Sequence, residues 1–566
     1  MALKKTIHAG LLGCFLACPT QVFSDGLAGA YLSGNLANAQ NDYVAAARYF
    51  SQALIDDPDN VYLMQNALLA MVAKGDVGDA AMLAKKIADK GESSHLSDLV
   101  LLADAIKRSD FNAAARLLSR EDQDFTELLS GLMSGWVELG RGKMASAAEV
   151  FDALQEPEVV RLFGQYHKAL ALAVVGDFGG ADKILEGDDR GNLRLNRGSL
   201  IAHAQILSQL DRNPEAVKML NDSLNGTVDL QLTQLRDQLQ NNEPVEYNFI
   251  ASAQEGAAEV FFTLASALND DDNEYSSLLY TRLAQYLRPQ NTGAILLAAE
   301  ILRDQGQFDL ATEIYSEVGA DDPLFLDAEL GRADTLLDAE KPEAAIEVLR
   351  NLSRSHSDVP RVFMSLGDAL RSISDFAQSR KAYEKAVDMI PNPQRNHWFL
   401  FYAMGICSEQ LDDWDRAEVE FRRALELSPG QPLVLNYLGY SLVEQRIKLD
   451  EALEMIKDAV AARPDSGFIT DSLGWVLYRL EKYEEAVEPM ELAIELIPDD
   501  PVINDHLGDV YWKVDRKREA EFQWKRALSF DPEPEDAIRI RRKLEVGLDV
   551  VLESEDAQKA TTGNGN

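Results

Sequence analysis

Apolar and polar residues in the C-terminal third of the chain follow the spacing of amphipathic helices, in blocks that return after 34 or 35 residues. One block is "FITDSLGWVLYRLEKYEEAVEPMELAIELIPDD", from Phe468 to Asp500, and its pattern recurs as "LNYLGYSLVEQ" before it and "NDHLGDVYWKV" after it. Each block holds two apolar-periodic stretches of about a dozen residues, which are too short to be stable as isolated helices. The pattern predicts a helical hairpin for every block.

Small, large and proline positions recur at the same points of each block. A glycine marks the first stretch, a large residue the second, and a proline the end of the block: Gly405, Gly439, Gly474 and Gly508; Phe421, Ile456, Met490 and Trp524; Pro429, Pro464, Pro498 and Pro532. We expect each glycine where the two helices cross most closely, because a larger side chain would separate their backbones. The proline ends the second helix, since it removes a donor and disfavours helix in the preceding residue.

This period and these positions resemble the tetratricopeptide repeat. The resemblance implies an all-α fold, a right-handed superhelical solenoid of tetratricopeptide helical hairpins, in which each hairpin covers the apolar face of the next. Similar but less regular blocks extend upstream to a unit that contains Gly34 and Pro58. The chain length accommodates on the order of a dozen hairpins of this size.

Breaks in the period predict the domain organisation. The segments are a signal peptide at 1–24, an N-terminal helical arc of partly degenerate repeats at 25–224, an irregular linker at 225–256, a C-terminal arc at 257–533, a capping helix at 534–547 and a disordered tail at 548–566.

The first residues have the pattern of an export signal, with Lys4 and Lys5 ahead of a short apolar run. Cleavage after Ser24 would release a periplasmic protein. The alternative is a lipoprotein, since Cys14 and Cys18 each end a lipobox-like sequence, and the chain would then be associated with the outer membrane through an N-terminal lipid anchor. Both alternatives remain open at this point.

Composition and motifs argue against several classes of function. Asp and Glu number 94 against 55 Lys and Arg, and the net charge of −39 disfavours nucleic-acid binding. The sequence has no metalloprotease, nucleophile-elbow, CxxC or phosphate-loop motif, so we predict no catalytic residues, cofactor or metal site. His506 lies beside Asp505 and Asp509, but a packed, hydrogen-bonded helix residue is a better interpretation than a metal ligand.

The first helices of stacked hairpins line the concave side of such an array. Positions just before and after each signature glycine therefore predict a partner-binding groove of polar and aromatic residues: Tyr402, Asn436, Tyr440, Asp471, Trp475, Tyr478, Asp505, Asp509 and Trp512. Packing between neighbouring hairpins is the alternative for Trp475 and Trp512. The carboxylates need either water or a partner's donors.

Basic residues gather near the C-terminus, against the acidic trend of the chain. They form a candidate docking patch for an acidic partner or a membrane surface: Arg516, Lys517, Arg518, Arg539, Arg541, Arg542 and Lys543. A solvated capping face is the alternative interpretation.

The stretches from Asn436 to Trp524, and "GAAEVFFTLASAL" at Gly256 to Leu268, resemble long alphaproteobacterial envelope tetratricopeptide proteins. These are related to outer-membrane lipoprotein adaptors of carboxyl-terminal processing proteases. The resemblance implies a non-enzymatic adaptor that binds proteins in its groove and presents cell-wall hydrolases to a periplasmic protease. The alternative is a structural accessory subunit of an outer-membrane assembly or secretion complex.

Overall fold

The computed structural model describes residues 27–562 except 122, 188–196, 225–228 and 271–272, without the side chains of 270 and 556–562. The expected signal peptide at 1–24, with Cys14 and Cys18, lies outside the described residues. Within these ranges every regular element is a helix, and none is both long and apolar enough to cross a bilayer. The chain divides into two compact units, at residues 1–352 and 353–566.

Unit 1 is built from consecutive helices that pack mostly in pairs. They are α1 Leu27–Ala39, α2 Tyr43–Asp56, α3 Val61–Lys74, α4 Val77–Asp89, α5 His95–Lys107, α6 Phe111–Leu118, α7 Glu127–Gly140, α8 Met144–Ala153, α9 Glu158–Val174, α10 Phe178–Leu185, α11 Arg197–Gln209, α12 Asn213–Leu224, α13 Leu230–Gln240, α14 Ala253–Asp270, α15 Glu274–Leu287, α16 Thr292–Asp304, α17 Phe308–Tyr315, α18 Phe325–Asp338 and α19 Pro342–Ser355, whose last turn crosses into unit 2.

Unit 2 continues the same pairing, with one short 3-10 helix at Arg395–His397. Its α-helices are α20 Pro360–Ser372, α21 Phe376–Asp388, α22 Trp398–Gln410, α23 Trp414–Leu427, α24 Pro432–Glu444, α25 Leu449–Ala462, α26 Gly467–Arg479, α27 Tyr483–Leu496, α28 Pro501–Lys513, α29 Lys517–Ser529, α30 Pro534–Val546 and α31 Leu548–Thr562. The fold class predicted from the sequence, a solenoid of helical hairpins, is confirmed.

The signature glycines lie at the helix crossings, as the sequence predicts. A Cβ atom at Gly405 would lie 2.5 Å from the ring of Phe421, and one at Gly439 would lie 2.7 Å from Ile456. Real Cβ atoms do not approach other atoms so closely, so only glycine allows the two helices of a hairpin to pack at this separation. Both large residues are fully buried. The close crossing and the large residue beside it are therefore two parts of one packing arrangement.

Helix α14 and helix α15 form a hairpin that packs against the first helices of the N-terminal hairpins. Helix α14 contacts α5, α7 and α9, while α15 contacts α3, α4 and α5. Polar contacts accompany this packing: Arg282 Nε donates to the carbonyl of Ala73 at 2.9 Å, and Tyr286 Oη donates to Asp104 at 3.2 Å. The inner face of the N-terminal hairpins is therefore covered by the chain itself.

A buried polar network fixes α14 against α7 and α9. Trp136 Nε1 donates to His167 Nδ1 at 3.1 Å, and Tyr166 Oη donates to Glu259 at 2.9 Å. Burial lowers the pKa of His167 to about 3, so the ring is the neutral acceptor that this geometry requires. Gly256 lies against the face of Trp136, where a Cβ atom would overlap the ring. A glycine and a tryptophan thus set the separation of α14 from α7.

Two of the predicted segments, the linker and the tail, differ in the structure. The linker predicted at 225–256 contains α13, and the hairpin after it packs onto the N-terminal arc, so the compact units divide at residue 352 instead. The tail predicted to be disordered from 548 is helical to Thr562, with Leu548 and Val551 buried. The predicted capping segment at 534–547 corresponds to α30.

We expect Gly256→Ala to destabilise unit 1 by about 1–3 kcal/mol, because the added methyl group overpacks the contact with Trp136. Gly179→Ala is the matched control, since a Cβ atom there meets nothing within 4 Å. Hydrogen exchange of the α14 and α7 peptides, read by mass spectrometry, measures the effect. Equal protection in the two variants would contradict the close packing of α14 on α7.

Candidate functional site

The predicted groove residues lie on the first helices of the last hairpins, α22, α24, α26 and α28. Helix α24 packs on α26, and α26 packs on α28. Residues three and four apart share a helix face, so Leu433, Asn436 and Tyr440 form one stripe along α24. Phe468 and Asp471 occupy the corresponding positions on α26. The hairpin stacking therefore aligns these positions across neighbouring helices.

Asp471 and Trp475 pack between α26 and α28. His506 Nδ1 lies 3.0 Å and 3.1 Å from the two carboxylate oxygens of Asp471, and its ring stacks on Trp475 with centroids 3.9 Å apart. Trp475 also stacks on Tyr478 at 4.8 Å, and its Nε1 donates to Glu444 at 3.0 Å. Packing between hairpins, the alternative considered for Trp475, is the arrangement observed. His506 is a packed, hydrogen-bonded helix residue.

The pKa of His506 lies above its ordinary value. Burial alone would lower this pKa. The charge and hydrogen bond of Asp471, and the charges of Asp505 and Asp509, raise it, and their combined effect exceeds that of burial. The imidazolium form is therefore favoured between α26 and α28.

Asp505 and Asp509 surround the ammonium group of Lys543, which comes from the capping helix α30. Lys543 Nζ lies 2.8 Å from Asp505 and 2.6 Å from Asp509, and Arg539 Nη1 lies 3.6 Å and 3.7 Å from the same two carboxylates. Asp509 also accepts a hydrogen bond from Trp524 Nε1 at 2.9 Å. We call Asp505, Asp509 and Lys543 the buried triad, and it joins the last hairpin to its cap.

The predicted carboxylates are not open to a partner in this structure. Asp471, Asp505 and Asp509 are 7%, 8% and 0% exposed. His506 contacts Asp471, whereas Lys543 and Arg539 contact Asp505 and Asp509. These partners lie roughly one repeat further along the chain. Of the predicted basic patch, Lys543 is buried, and Arg539 is half-buried in contact with the same carboxylates.

The other members of the predicted basic patch divide between internal contacts and solvent. Arg516 pairs with Glu491 at 2.8 Å, and Lys517 donates to the carbonyl of Trp512 at 2.7 Å. Among the predicted residues, the ones that remain exposed are Arg518, Arg541 and Arg542. Docking through these three residues remains a prediction.

The open part of the predicted groove is at α22 and α24. Tyr402, Asn436 and Tyr440 are half-buried there, with Tyr402 against the ring of Tyr437 at 5.7 Å. Trp512, on α28, is half-buried, and its Nε1 donates to Asp549 of α31 at 2.9 Å. Of the predicted residues, Tyr402, Asn436 and Tyr440 therefore remain the candidates for contact with a partner.

Sequence reasoning missed two apolar residues on the same face. Leu433 on α24 is 48% exposed and Phe468 on α26 is 60% exposed. Each precedes a predicted groove residue, Asn436 or Asp471, by three positions and occupies the same place in successive blocks. This spacing could have identified both residues as part of the predicted groove from the sequence. We call Leu433, Asn436, Tyr440 and Phe468 the open stripe.

Asn436 also has an unsatisfied polar atom. Its Oδ1 is buried and has no hydrogen-bond partner among the residues that the structure describes. A buried amide oxygen without a donor costs free energy, and most such groups in proteins are paired.

We expect Lys543→Met to destabilise unit 2 by about 3–5 kcal/mol, because two buried carboxylates would lose their cation. Arg542→Met is the control, since Arg542 is on the same helix but exposed, and it should change stability by less than about 0.5 kcal/mol. The free energy of unfolding in urea and the hydrogen exchange of α28 and α30 measure the effect of each substitution. Equal effects would show that the triad contributes nothing specific.

Stability should depend on pH through His506. Its pKa is raised in the folded state, so its contribution is complete below the unfolded value of about 6.5 and is lost as the pH rises through the folded value. His506→Gln should therefore destabilise α26 and α28 more at pH 5.5 than at pH 8.5. Hydrogen exchange of wild type and variant, compared at each pH, gives the difference. A larger effect at pH 8.5 would reverse the assigned sign.

A family model and curated relatives both match this chain through the repeat. A tetratricopeptide repeat family model matches residues 330–393 and 438–501. A tetratricopeptide-repeat-containing protein of Pseudomonas aeruginosa is 27% identical over 30% of this chain and 28% of its own length. The matches to curated relatives span between 15% and 28% of those relatives.

Two solved structures are similar in their helical repeats. The Cut9–Hcn1 hetero-tetramer of APC/C is 16% identical, covers 92% of this chain and 96% of that chain, and has a TM-score of 0.39. YrrB, described as having an unusual peptide-binding site, is 20% identical, covers 35% of this chain and 95% of that chain, and has a TM-score of 0.27. These scores are too low to imply a shared function.

Tetratricopeptide repeats generally mediate protein–protein interaction through extended surfaces and are typically non-enzymatic scaffolds. Residues 330–393 and 438–501 of this chain match the model of that repeat.

Proposed function

We propose that the chain is a non-enzymatic scaffold that binds an extended segment of a partner protein along the open stripe. The observation that carries this proposal is the pair of exposed apolar side chains, Leu433 and Phe468, at equivalent positions of stacked first helices. Apolar anchors beside half-buried aromatic rings are typical of peptide-binding surfaces.

The chemistry of the stripe specifies the kind of segment that fits. Two apolar side chains of the partner would cover Leu433 and Phe468, which removes apolar surface from water. The half-buried side chain of Asn436 offers an amide group for hydrogen bonds with the backbone of the partner. Tyr440 offers an aromatic body with a polar end beside that amide. An extended backbone supplies both its side chains and its N–H groups to such a surface.

Other inner surfaces are less accessible. The N-terminal hairpins are covered by α14 and α15, and the last repeat is closed by Lys543 of the capping helix. These contacts favour α22, α24 and α26 as the place where a partner segment binds.

We further propose that the partners belong to the bacterial cell envelope. The export-like N-terminal sequence, with Lys4 and Lys5, supports a periplasmic location or a lipid anchor at the outer membrane. The resemblance of the Asn436–Trp524 region to envelope adaptors supports a role in presenting cell-wall hydrolases to a periplasmic protease. A structural subunit of an outer-membrane complex is the competing outcome.

The test of the binding face uses exposed residues, so that folding is retained. We expect the double variant Leu433→Ser, Phe468→Ser to weaken binding of peptides selected on the native chain by about tenfold or more, because the apolar anchors are lost. Val419→Ser, Phe522→Ser is the control, since these residues are 66% and 59% exposed on second helices. Equal loss in both double variants, or none in either, would contradict binding at the open stripe.

The test of the pathway is capture from a periplasmic and membrane extract, read by mass spectrometry. A protease or cell-wall hydrolase that binds the native chain and the control variant, but not the Leu433→Ser, Phe468→Ser variant, would support the adaptor. A set of outer-membrane components captured equally by all three proteins would support the structural subunit instead.

A further inference from the structure

A cleft of about 570 Å³ lies within unit 1, between α11 on one side and α14 and α16 on the other. This volume is within the range of small-ligand sites in proteins. Its apolar lining includes Ile201, Phe249, Phe262 and Leu296.

One wall of the cleft is held by a glutamine. Gln205 Oε1 accepts from the backbone N–H groups of Asn248 and Phe249 at 3.1 Å and 3.0 Å, and its Nε2 donates to Asn248 Oδ1 at 2.7 Å. A single side chain thus fixes the irregular segment that precedes α14 against α11. The wall is ordered before any ligand arrives, which lowers the entropy cost of binding.

Glu259, a buried acidic residue, is part of this lining. It is 3% exposed and accepts one hydrogen bond, from Tyr166 at 2.9 Å. Within the described residues it forms no ion pair. The cations of the lining are committed elsewhere: Arg197 pairs with Asp229 at 2.5 Å, and Arg288 donates to the carbonyl of Phe249 at 2.8 Å.

The charge of Arg288 acts on Glu259, but no ion pair joins the two side chains. A buried carboxylate without an ion pair is costly, and an ammonium group in contact with it would compensate its charge. The apolar lining adjoins Glu259, so a ligand would need an apolar body next to its charged end. Glu300 also lines the cleft at its exposed side, and it too would favour a cation.

We propose that the cleft is a binding site for a primary ammonium group on an apolar body, with Glu259 as its counter-ion. A lysine side chain and the free N-terminus of an apolar peptide both present this chemistry. The site belongs to unit 1, and the proposal is independent of the open stripe in unit 2.

Burial raises the pKa of Glu259 to about 7, against the lowering effects of Tyr166 and Arg288. The carboxyl group therefore takes up a proton more readily than an exposed glutamate does. An ammonium group bound beside it would favour the charged form and displace the proton.

The first experiment is a fluorescence titration of the full chain with dansylcadaverine, which joins an aromatic body to a primary amine. Its N-acetylated form is the probe control, because it keeps the body and loses the charge. We expect the amine to bind at least about tenfold more tightly than the acetylated form. Equal binding of the two probes, or no binding of either at millimolar concentration, would overturn the proposal.

The protein control uses two glutamate substitutions. Glu259→Gln keeps an acceptor for Tyr166 and removes the charge, so we expect the affinity for the amine to fall by about tenfold or more. Glu347→Gln removes an exposed carboxylate outside the cleft and should leave the affinity unchanged. Leu296→Trp narrows the cleft without touching Glu259 and should weaken both probes. An unchanged affinity in Glu259→Gln would overturn the assignment of the counter-ion.

Two peptides distinguish the source of the ammonium group. Acetyl-Leu-Lys-amide carries it on a side chain, whereas Leu-Leu-amide carries it at a free N-terminus. If only acetyl-Leu-Lys-amide displaces dansylcadaverine, the site binds a lysine side chain. If only Leu-Leu-amide displaces it, the site binds a free N-terminus. Failure of both peptides to displace the probe would overturn the proposal of a peptide amine.

Discussion

The close crossing of two short helices is the constraint on which the structure depends. Neither helix of a hairpin is long enough to be stable alone, so each must bury its apolar face against its partner and against the next hairpin. In the regular repeats of unit 2, glycine at one crossing point and a large residue beside it, such as Gly405 and Phe421, set the separation of the helices. The same device, with Gly256 and Trp136, brings α14 onto a helix more than one hundred residues earlier in the chain. Regular and irregular parts of the fold thus use one kind of contact.

Buried carboxylates are stabilised in different ways in the two units. In unit 2 the carboxylates of Asp505 and Asp509 receive a cation from within the chain, Lys543, so the last repeat is closed by its own capping helix. In unit 1 Glu259 accepts a hydrogen bond from the phenol of Tyr166 and forms no ion pair among the described residues. Full pairing is typical of a structural role, and incomplete pairing beside a cleft is typical of a binding site.

The hairpin fold, its period and its crossing points could be predicted from the sequence, because they depend on contacts between residues about 16 positions apart, such as Gly405 and Phe421, that repeat along the chain. The candidate site was predictable only in part. Tyr402, Asn436 and Tyr440 lie where the period places them, but whether Asp471 faces solvent depends on His506 in the next hairpin, and Asp505 depends on Lys543 in the cap. The docking of α14 on α7 and α9 could not be predicted, since no period connects those segments.

The docked α14–α15 hairpin has a consequence for how the protein unfolds. An ordinary repeat array behaves as a one-dimensional chain of neighbours, from which terminal units can fray one at a time. In unit 1, contacts such as Arg282 to Ala73 and Tyr43 to Gln305 join segments more than two hundred residues apart, so removal of one hairpin exposes several others. Such long-range closure raises contact order, slows folding and makes loss of structure collective. Unit 1 would therefore unfold as a single cooperative body, although its sequence has the pattern of a series of repeats.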